Sequence, residues 1–419
     1  MIHGVKGMRD ILPPSSGVWN QVERSARRIF YRFNYHEIRT PILEETPLFA
    51  RSVGEETDIV SKEMYTFEDR DGTSLTLRPE NTAPVLRAYI EHRLDQQSGI
   101  QKLYYIGPMF RRERPQKGRY RQFYQIGAEA IGSDSPAIDA EIIELVIAIL
   151  REIGIQNFEV LINSVGSRES RERYNEVLRS ELREIAPRMC EDCRRRAETN
   201  PLRVLDCKVP GDQPIIDQLP SILDYLSEED HEHFRRVREL LDDRGIHYTV
   251  KPRLVRGLDY YARTTFEVTH GALGAQNAIL GGGRYDGLAE SLGSKVAAPG
   301  IGFSIGEDRL VMIAEEGETA RASPLDLYIA PMGDAAARHC AMLAGDIREL
   351  DISVEVGTER KLKRMMELAN KLAARYTLIV GDNEIASQWY TLKEMSSGTQ
   401  ETLTRQQLLE RLRQHPWQK

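Results

Sequence analysis

The chain has 419 residues, of which 41% are hydrophobic and 29% are charged, and its formal net charge at pH 7 is -7. This length exceeds one hydrophobic core of ordinary size, so two or three domains are expected, and the composition excludes a disordered protein. The acidic balance excludes nucleic-acid binding driven by overall charge, so any such contact must be local.

Features of the whole chain indicate a cytoplasmic protein without membrane contact. No apolar run approaches the roughly 20 residues that span a bilayer. The opening stretch "MIHGVKGMRDILPPSSG" lacks the apolar centre of a secretory signal. Four cysteines are too few for a disulfide framework in a chain of this size, which favours a reducing compartment.

The first part of the chain predicts mixed α and β structure. Apolar residues at helical spacing predict a helix over 16–34. The stretch 74–94 predicts a short strand and then a helix with Thr82 as its N-cap. The strongly apolar stretch 137–155 predicts a further helix that packs on a sheet.

Two strand-like segments, 102–112 and 121–132, are expected to pair antiparallel, and the loop that joins them is strongly basic. This loop, "RRERPQKGRYR" (111–121), holds six lysines and arginines against one acid, Glu113. Three interpretations remain open: a solvated mobile loop, a contact with nucleic-acid phosphates, or a polyphosphate site in which arginines bind oxygens bidentately. The second and third are compatible if a nucleotide and a polynucleotide meet at the same place.

The strand after the basic loop carries polar residues on one face. Side chains alternate along a strand, so Phe123, Gln125, Gly127, Glu129 and Ile131 share one side. This face is either solvated or the wall of a pocket for a polar small molecule. The apolar neighbours of the Gln and the Glu favour the pocket.

The densely charged residues 167–225 predict a mostly helical insertion within a domain that then resumes. Three segments follow it, namely "RGLDYYARTTFEV" (256–268) and the glycine-rich "LGGGRYDGL" (280–288) and "GIGFSIGEDRL" (300–310). Consecutive glycines let a backbone approach a ligand closely. Two further arginines lie in these segments: Arg256 at an expected strand start, and Arg309 in a helix that follows a strand. Together with the basic loop, they suggest one phosphate-rich ligand that is surrounded from several sides.

After a polar linker at 317–324, residues 325–419 predict an α/β module of their own. Its expected order is strand, helix, strand, basic helix, strand, hairpin and final helix. The basic helix carries "ERKLKRMMELANK" (359–371), whose lysines and arginines are typical of a solvated helix face.

Together these motifs resemble those of class II aminoacyl-tRNA synthetases, and specifically of the histidyl-tRNA synthetase family. "FRRERPQKGRYRQFYQIGAE" is similar to motif 2, "GIGFSIGEDRL" to motif 3, and "YHEIRTPILEETPLF", with Pro41, to the dimer-forming motif 1. "RGLDYY" and "LGGGRYDGL" resemble two signature peptides peculiar to histidyl enzymes. The resemblance extends over nearly the whole chain, from "KGMRDILP" to "TLIVGDNEIA".

The resemblance implies a mixed α/β fold with an antiparallel-sheet catalytic domain and an α/β anticodon-binding domain. Their implied bounds are 1–166 and 226–316 for the catalytic domain, 167–225 for a helical insertion, 317–324 for a linker and 325–419 for the anticodon-binding domain. The implied reaction activates L-histidine with ATP and Mg²⁺ and transfers it to the 3′ end of tRNA(His), by a homodimer without an organic cofactor.

Site residues also follow from the resemblance. The implied histidine-binding set is Glu80, Asn81, Thr82, Arg111, Gln125, Glu129, Arg256, Tyr260, Tyr261 and Tyr285. The implied ATP-binding set is Arg111, Glu113, Arg119 and Arg309. Arg111 and Arg256 are the implied catalytic residues, because they match the arginines that approach the α-phosphate from two sides.

Two features depart from a simple match. Asp308 stands where the family usually has Glu before the motif 3 arginine, so an altered contact is expected there. Cys190, Cys193 and Cys207 form a CxxC with one more thiol, which leaves a tetrahedral zinc site one ligand short, and zinc is therefore not expected.

The alternative interpretation is a non-catalytic relative, such as the regulatory subunit of ATP phosphoribosyltransferase, that binds histidine as an effector. Such proteins usually lack the C-terminal domain and lose motif residues. This chain has 325–419 together with the motif arginines, which favours the enzyme.

Overall fold

The structure is a computed structural model, and it describes residues 2–54, 57, 59–116, 118–274, 277–317 and 325–413. The chain forms two compact units, residues 1–321 and residues 322–419. The predicted linker 317–324 lies outside the described residues except for Gly317. None of the helices in the described ranges combines the length and the apolar character that a membrane crossing requires.

The first unit contains strands, α-helices and several shorter helical turns. Its strands are β1 (His36–Glu37), β2 (Leu43–Glu45), β3 (Tyr65–Glu68), β4 (Ser74–Leu77), β5 (Gln101–Phe110), β6 (Gln122–Ile131), β7 (Phe158–Ser164), β8 (Thr249–Val250), β9 (Ala262–His270), β10 (Ala278–Arg284) and β11 (Gly300–Gly306). Its α-helices are α1 (Ser15–Arg32), α2 (Thr46–Val53), α3 (Thr82–Glu91), α4 (Pro136–Ile153), α5 (Arg168–Ile185), α6 (Glu191–Thr199), α7 (Gln213–Ile216), α8 (Glu228–Asp243), α9 (Leu288–Ser291) and α10 (Glu307–Glu316). The turns are a π-helix at Ile59–Glu63 and 3₁₀ helices at Leu94–Gln96, Ala186–Arg188, Pro201–Asp206, Pro210–Asp212, Ile222–Tyr225 and Gly271–Leu273.

A mainly antiparallel sheet organises this unit. Its strand order over the described residues is β1-β5-β6-β11-β10-β9-β7-β8, and only the outermost pairs, β1 with β5 and β7 with β8, are parallel. The predicted antiparallel pair is β5 with β6, in a register that sets Tyr105 opposite Gly127. Strands β2, β4 and β3 form a smaller antiparallel sheet beside α2.

The helices predicted from apolar periodicity cover one face of the large sheet. Helix α1 buries Val22, Ala26 and Ile29, and α4 is apolar around most of its circumference because it lies between the sheet and α8. Burial of these faces supplies the hydrophobic stabilisation of the unit. The predicted N-cap at Thr82 is corrected, since α3 begins at Thr82 and the capping acceptor is the side chain of Glu80.

The insertion is mostly helical, as its charge pattern predicted. Helices α5, α6 and α7 and the 3₁₀ turns among them form it, and a small core that includes Tyr174, Leu178 and Leu182 holds them together. The strand expected to start at Arg256 begins later, at Ala262, and residues 251–261 form a loop. This loop returns the chain to the sheet beside the glycines of β10.

A fully buried ion pair joins the sheet to α4. Arg284 Nε on β10 donates to Asp139 Oδ1 on α4 at 2.7 Å, and both side chains are 0% exposed. The same guanidinium donates to Asp286 and to the carbonyl of Ser133, at 2.8 and 3.0 Å. Burial raises the pKa of Asp139 to about 6, although the charge of Arg284 opposes this shift. Arg284 thereby fixes the end of β10.

The second unit is the predicted α/β module. Its strands are β12 (Leu327–Pro331), β13 (Val354–Val356), β14 (Tyr376–Val380), β15 (Trp389–Glu394) and β16 (Gln400–Thr404), and its helices are α11 (Asp334–Arg348), α12 (Leu362–Lys371), α13 (Asp382–Ser387) and α14 (Arg405–Arg413). The sheet order is β13-β12-β14-β15-β16, with the first three strands parallel and the hairpin antiparallel. Helix α13 is the element that the sequence analysis did not predict.

We expect Asp139→Ala to lower the free energy of unfolding by about 3 kcal/mol, because it leaves the buried Arg284 guanidinium with only the more exposed Asp286 as a counter-charge. Urea unfolding measures this change. Glu172→Ala is the control, since the Arg168–Glu172 pair is exposed and its loss should leave the urea midpoint nearly unchanged. Equal effects of the two substitutions would contradict the structural role of the buried pair.

Candidate active site

A cavity of about 560 Å³ lies over the glycine-rich strands of the large sheet. Strands β5, β6, β10 and β11, the start of α3, the loop 251–261 and the insertion all contribute to its lining. Its basic lining residues are Arg111, Arg119, Arg203, Lys208, Arg256 and Arg309. Acids also line the cavity, namely Glu63, Glu80, Glu113, Asp206, Glu267 and Asp308, so the positive charge of the arginines acts locally and not over the whole cavity.

One end of the cavity is acidic and dry. The Glu80 carboxylate accepts hydrogen bonds from the backbone N–H groups of Thr82 and Ala83, at 2.7 and 3.1 Å. The Thr82 hydroxyl in turn donates to Glu129 Oε1 at 2.8 Å. Burial raises the pKa of Glu80, and the two backbone N–H groups and the charge of Arg111 limit that rise. The start of α3 thus presents two carboxylates and a hydroxyl together.

Glu129 is the most strongly perturbed of these groups. Its side chain is 0% exposed, and its Oε2 has no hydrogen-bond partner within the described part of the chain. Burial raises the pKa of Glu129 to about 8, with the Thr82 hydroxyl opposing the shift. A Cβ at residue 302 would lie 1.7 Å from Oε2, so Gly302 is required for the carboxylate to occupy this position. A buried carboxylate without its full set of partners suits a ligand that donates hydrogen bonds.

Other unpaired polar atoms surround Glu129. Within the described residues, Gln125 Oε1 and the hydroxyls of Tyr105 and Tyr285 have no hydrogen-bond partner, although all three residues are buried. The rings of Tyr260 and Tyr261 lie 4.7 Å apart between centroids and extend the aromatic wall. A pocket that selects a small polar molecule typically has apolar walls and a few polar groups that face its interior.

The space beside Gly127 is filled from the neighbouring strand. A Cβ at residue 127 would lie 2.4 Å from the ring of Tyr105, the residue opposite it in the register. The predicted glycine gap between Gln125 and Glu129 therefore holds an aromatic ring, and its hydroxyl adds a further polar group to the same pocket.

The basic loop contributes two arginines that share one acid. Arg111 Nη1 lies 3.8 Å from Glu113 Oε1, and Arg119 Nη1 lies 3.1 Å from Glu113 Oε2. Arg111 also donates from Nε to the carbonyl of Pro79 at 2.9 Å, and its guanidinium lies 5.2 Å from the centroid of the Phe123 ring. These contacts fix Arg111 at the mouth of the tyrosine-lined pocket.

Arg256 reaches the cavity from the opposite side. Its Nη1 donates to Glu267 Oε2 at 2.5 Å. A Cβ at residue 281 would lie 1.8 Å from its Nη2, so Gly281 gives the guanidinium its place over β10. Arg111 and Arg256 are therefore two fixed cations that line one cavity from different elements.

Motif 3 contributes Arg309, whose Nη1 donates to the carbonyl of Ala278 at 2.6 Å and whose Nε approaches the carbonyl of Gly118 at 3.4 Å. Burial lowers the pKa of Arg309, and the positive charge of Arg119 adds to this effect. Asp308, the departure from the family pattern, accepts from Arg9 at 2.8 Å and from the backbone N–H of Tyr124 at 3.0 Å. Through these hydrogen bonds, Asp308 connects the start of α10 to β6 and to the N-terminal segment.

Most of the predicted site residues lie together, but some do not. Asn81 is buried outside the cavity lining, because its Oδ1 accepts from Thr40 at 2.6 Å and from Arg78 at 3.2 Å. Glu129 lies behind the lining residues Thr82 and Gly302. Cys190, Cys193 and Cys207 lie in the insertion, and the cavity lining does not include them.

Several lining residues were missed by the sequence analysis. They are Tyr105 on β5, Glu267 on β9, and Arg203, Asp206 and Lys208 of the insertion. A prediction of the β5–β6 register would have identified Tyr105, because this register places Tyr105 opposite Gly127. No local pattern identifies the insertion residues, because only the tertiary fold brings that segment to the cavity.

Comparisons with known proteins agree with this geometry. The model of the family described as "Histidyl-tRNA synthetase" matches residues 7–310, and the model described as "Anticodon binding domain" matches residues 326–415. A histidine–tRNA ligase of Solibacter usitatus is 69% identical over 98% of this chain and 99% of its own length. One of Koribacter versatilis is 55% identical over 99% and 97%.

Solved structures give the same result. The crystal structure of apo histidyl-tRNA synthetase from S. aureus matches with a TM-score of 0.81 and 39% identity, covering 99% of this chain and all of that one. The predicted fold class, that of a class II aminoacyl-tRNA synthetase with a C-terminal anticodon-binding domain, is confirmed. The chain belongs to the histidyl-tRNA synthetase family.

The raised pKa of Glu129 generates a pH-dependent prediction. In the unfolded chain this carboxyl ionises at its ordinary value of about 4.5, whereas in the folded chain it keeps its proton up to about pH 8. The proton-bound form therefore stabilises the folded state at low pH, and this stability is lost as the pH rises from about 4.5 to about 8.

We expect Glu129→Gln to unfold at nearly the same urea concentration as the parent at about pH 5, and at a clearly higher one at about pH 9. Urea titrations at the two pH values measure the difference. Glu68→Gln, at an exposed position on β3, should show the same small difference at both. A parent–variant difference at Glu129 that stays constant with pH would refute the buried, proton-bound carboxyl.

Proposed function

We propose that this chain is a histidine–tRNA ligase that joins L-histidine to ATP and then transfers the histidyl group to the 3′ end of tRNA(His). Full-length relatives named histidine–tRNA ligase, at 69% and 55% identity, support the enzyme over the regulatory alternative. The observation that carries the proposal is a single cavity with a dry, carboxylate-bearing pocket at one end and several arginines at the other.

The dry end fits histidine. The carboxyl group of Glu129, which can pass its proton to a basic ring nitrogen, and the phenol of Tyr261 match the two nitrogens of an imidazole, and the rings of Tyr260 and Tyr285 enclose its faces. Glu80, Thr82 and Gln125 offer oxygens to the α-ammonium group. An amino acid without the two ring nitrogens leaves these buried groups unpaired, which can cost several orders of magnitude in discrimination.

The two arginines that approach from different sides fit the reacting groups. An oxygen of the histidine carboxylate attacks the α-phosphorus of ATP in line, a new P–O bond forms, and the bond to the β-phosphate breaks as pyrophosphate leaves. Arg111 and Arg256 place fixed positive charge on the oxygens that gain negative charge, and guanidinium groups stay protonated at any working pH. Glu113 and Glu267 hold the two guanidinium groups in place before the substrates bind.

Arg119 and Arg309 fit the β- and γ-phosphates. Their like charges act on each other, as the lowered pKa of Arg309 reflects after the larger effect of burial. A polyphosphate between them relieves this repulsion and gains charge-assisted hydrogen bonds. The Mg²⁺ that the family implies takes oxygen ligands, and Glu113 and Glu267 are carboxylates of the cavity that would hold it beside the phosphates. When bound, the ion neutralises charge on the outgoing pyrophosphate.

The second step uses the tRNA. A terminal ribose hydroxyl attacks the carbonyl carbon of the adenylate, an ester forms, and AMP leaves with the bonding electrons. The remaining arginines and lysine of the basic loop fit the acceptor end of the tRNA, and the second unit fits the anticodon stem-loop, with the basic helix α12 as the proposed contact. We place the protein in the cytoplasm, where translation uses its product.

We also propose a homodimer, because apolar side chains cluster on the surface around motif 1. Ile42, Leu43 and Phe67, in and beside the small sheet, are 42%, 41% and 46% exposed. An exposed apolar patch of this kind is typical of an interface between protein chains.

Sedimentation equilibrium should give twice the mass of one chain, and the double substitution Leu43→Asp/Phe67→Asp should reduce it to one. Leu372→Asp is the matched control, since Leu372 is 40% exposed but belongs to the second unit. A parent protein that sediments as a monomer would refute the dimer.

ATP–pyrophosphate exchange tests the main proposal. We expect exchange that depends on histidine and on no other amino acid, and Arg256→Ala should lower its rate by about 10²–10³-fold through loss of charge at the α-phosphate. Arg253→Ala is the matched control, because Arg253 lies in the same loop but pairs with Asp217 and Gln213 outside the cavity lining. Histidine binding without any exchange would instead establish the regulatory type of protein.

A further inference from the structure

The insertion brings four potential metal ligands to one point. The ligand atoms of Cys190, Cys193, Cys207 and Asp212 all lie within 4.8 Å of one another. Cys193, Cys207 and Asp212 are buried and Cys190 is half-buried. The sequence analysis counted three thiols and no fourth ligand, and the 3₁₀ turn at Pro210–Asp212 supplies a carboxylate as the fourth.

The distances in this cluster match those of a tetrahedral zinc site. With zinc–sulfur bonds of about 2.3 Å, two sulfurs of a tetrahedron lie about 3.8 Å apart, and a sulfur and a carboxylate oxygen lie about 3.5 Å apart. Here the sulfurs of Cys190 and Cys207 are 3.9 Å apart. Cys207 Sγ and Asp212 Oδ2 are 3.2 Å apart. These two pairs are within a few tenths of an ångström of the ligand spacing, and because all four ligand atoms lie within 4.8 Å of one another, side-chain adjustments of no more than about 1 Å bring the rest to ligand positions.

Backbone N–H groups already orient the ligands. The N–H of Cys193 points at Cys190 Sγ and the N–H of Val209 points at Cys207 Sγ, each at 3.4 Å. The N–H of Cys190 donates to Asp212 at 3.2 Å and fixes that carboxylate. Outer-shell donors of this kind hold metal ligands in their binding geometry.

We propose that Cys190, Cys193, Cys207 and Asp212 bind one structural Zn²⁺ ion with tetrahedral geometry. Three thiolates and one carboxylate favour zinc over magnesium or calcium, which prefer oxygen ligands. Four protein ligands close the coordination sphere, so the ion has no open position for a substrate or a water. The site is therefore structural and separate from the reaction.

The position of the cluster gives the ion a specific task. Between Cys193 and Cys207 the chain carries Arg203 and Asp206 to the wall of the cavity, and Lys208 follows directly. Asp206 pairs with Arg203 at 3.8 Å and with Lys208 at 3.0 Å. An ion that joins both ends of this segment fixes short helical turns that have little core of their own.

Metal analysis of the full-length protein tests the proposal directly. Protein prepared with zinc in the medium and without chelators should hold about one zinc ion per chain. Cys193→Ser should lower the content about tenfold, whereas Cys340→Ser should leave it unchanged, because Cys340 is buried in the second unit away from the cluster. A parent protein with free thiols and no zinc, or with a disulfide between Cys190 and Cys207 in the metal's place, would overturn the site.

Cobalt substitution tests the ligand set without relying on variants that fold poorly. The Co²⁺ form of the parent should show strong visible bands of a tetrahedral ion and a thiolate-to-cobalt charge-transfer band. Asp212→Cys should keep the metal and raise the charge-transfer intensity by about a third, since four thiolates replace three. A weak spectrum of an octahedral ion in the parent, or an Asp212→Cys spectrum equal to the parent's, would overturn the assignment of Asp212.

Both readouts are independent of the proposed reaction. Metal content and cobalt spectra do not involve histidine, ATP or tRNA, so an inactive enzyme with one zinc ion and an active enzyme without zinc are distinguishable results. An inactive protein that holds one zinc ion would support the metal site and refute the ligase. An active protein without zinc would support the ligase and refute the metal site.

Discussion

The buried ion pair between Arg284 and Asp139 is the interaction on which the site depends. It joins the end of β10 to α4, and β10 is the strand whose glycines form one wall of the cavity. A strand of consecutive glycines has few side chains of its own to pack, so its position must be fixed at its end. The nearby His233 does not compete for Asp139 as a cation, because burial, followed by the charges of Arg284 and Arg263, lowers the pKa of His233 to about 4. Arg284 is thus the dominant counter-charge of this carboxylate.

The two ends of the cavity have different electrostatic environments. At one end, Glu129 Oε2 and Gln125 Oε1 are buried without a hydrogen-bond partner within the described residues, which favours a ligand that brings its own donors, and burial raises the pKa of Glu129 to about 8. At the other end, Arg111, Arg119, Arg256 and Arg309 line a space that favours negative charge. In the proposed reaction, histidine and ATP meet where the two environments join. The glycines at 281 and 302 make this possible, because a Cβ at either position would displace Arg256 or Glu129.

Much of the fold follows from local patterns in the sequence. Strong periodicity predicted α1, α4, the β5–β6 pair and the β11–α10 turn, and the alternating order predicted the second unit. Features that depend on tertiary contacts did not follow. The acceptor at the start of α3 is Glu80 and not Thr82, since the chain before the helix folds back over its first N–H groups. Asn81 does not line the cavity, because its side-chain oxygen accepts hydrogen bonds from Arg78 and Thr40.

The insertion illustrates the same limit, because its charge pattern predicted helices but not which of its residues reach the cavity. Its helices expose many charged residues, and its 190–212 segment is held by a few buried apolar side chains, such as Val204 and Leu205, that pack on a core shared with the rest of the first unit. Yet that segment brings Arg203 and Lys208 to the cavity that Arg111, Arg119, Arg256 and Arg309 also line, where an unrestrained cation would be repelled. A short segment with this task needs a cross-link, and three thiols and a carboxylate at its two ends provide the ligands for one. The fourth ligand was invisible in the sequence because Asp212 is one acid among many until the fold sets it beside Cys207.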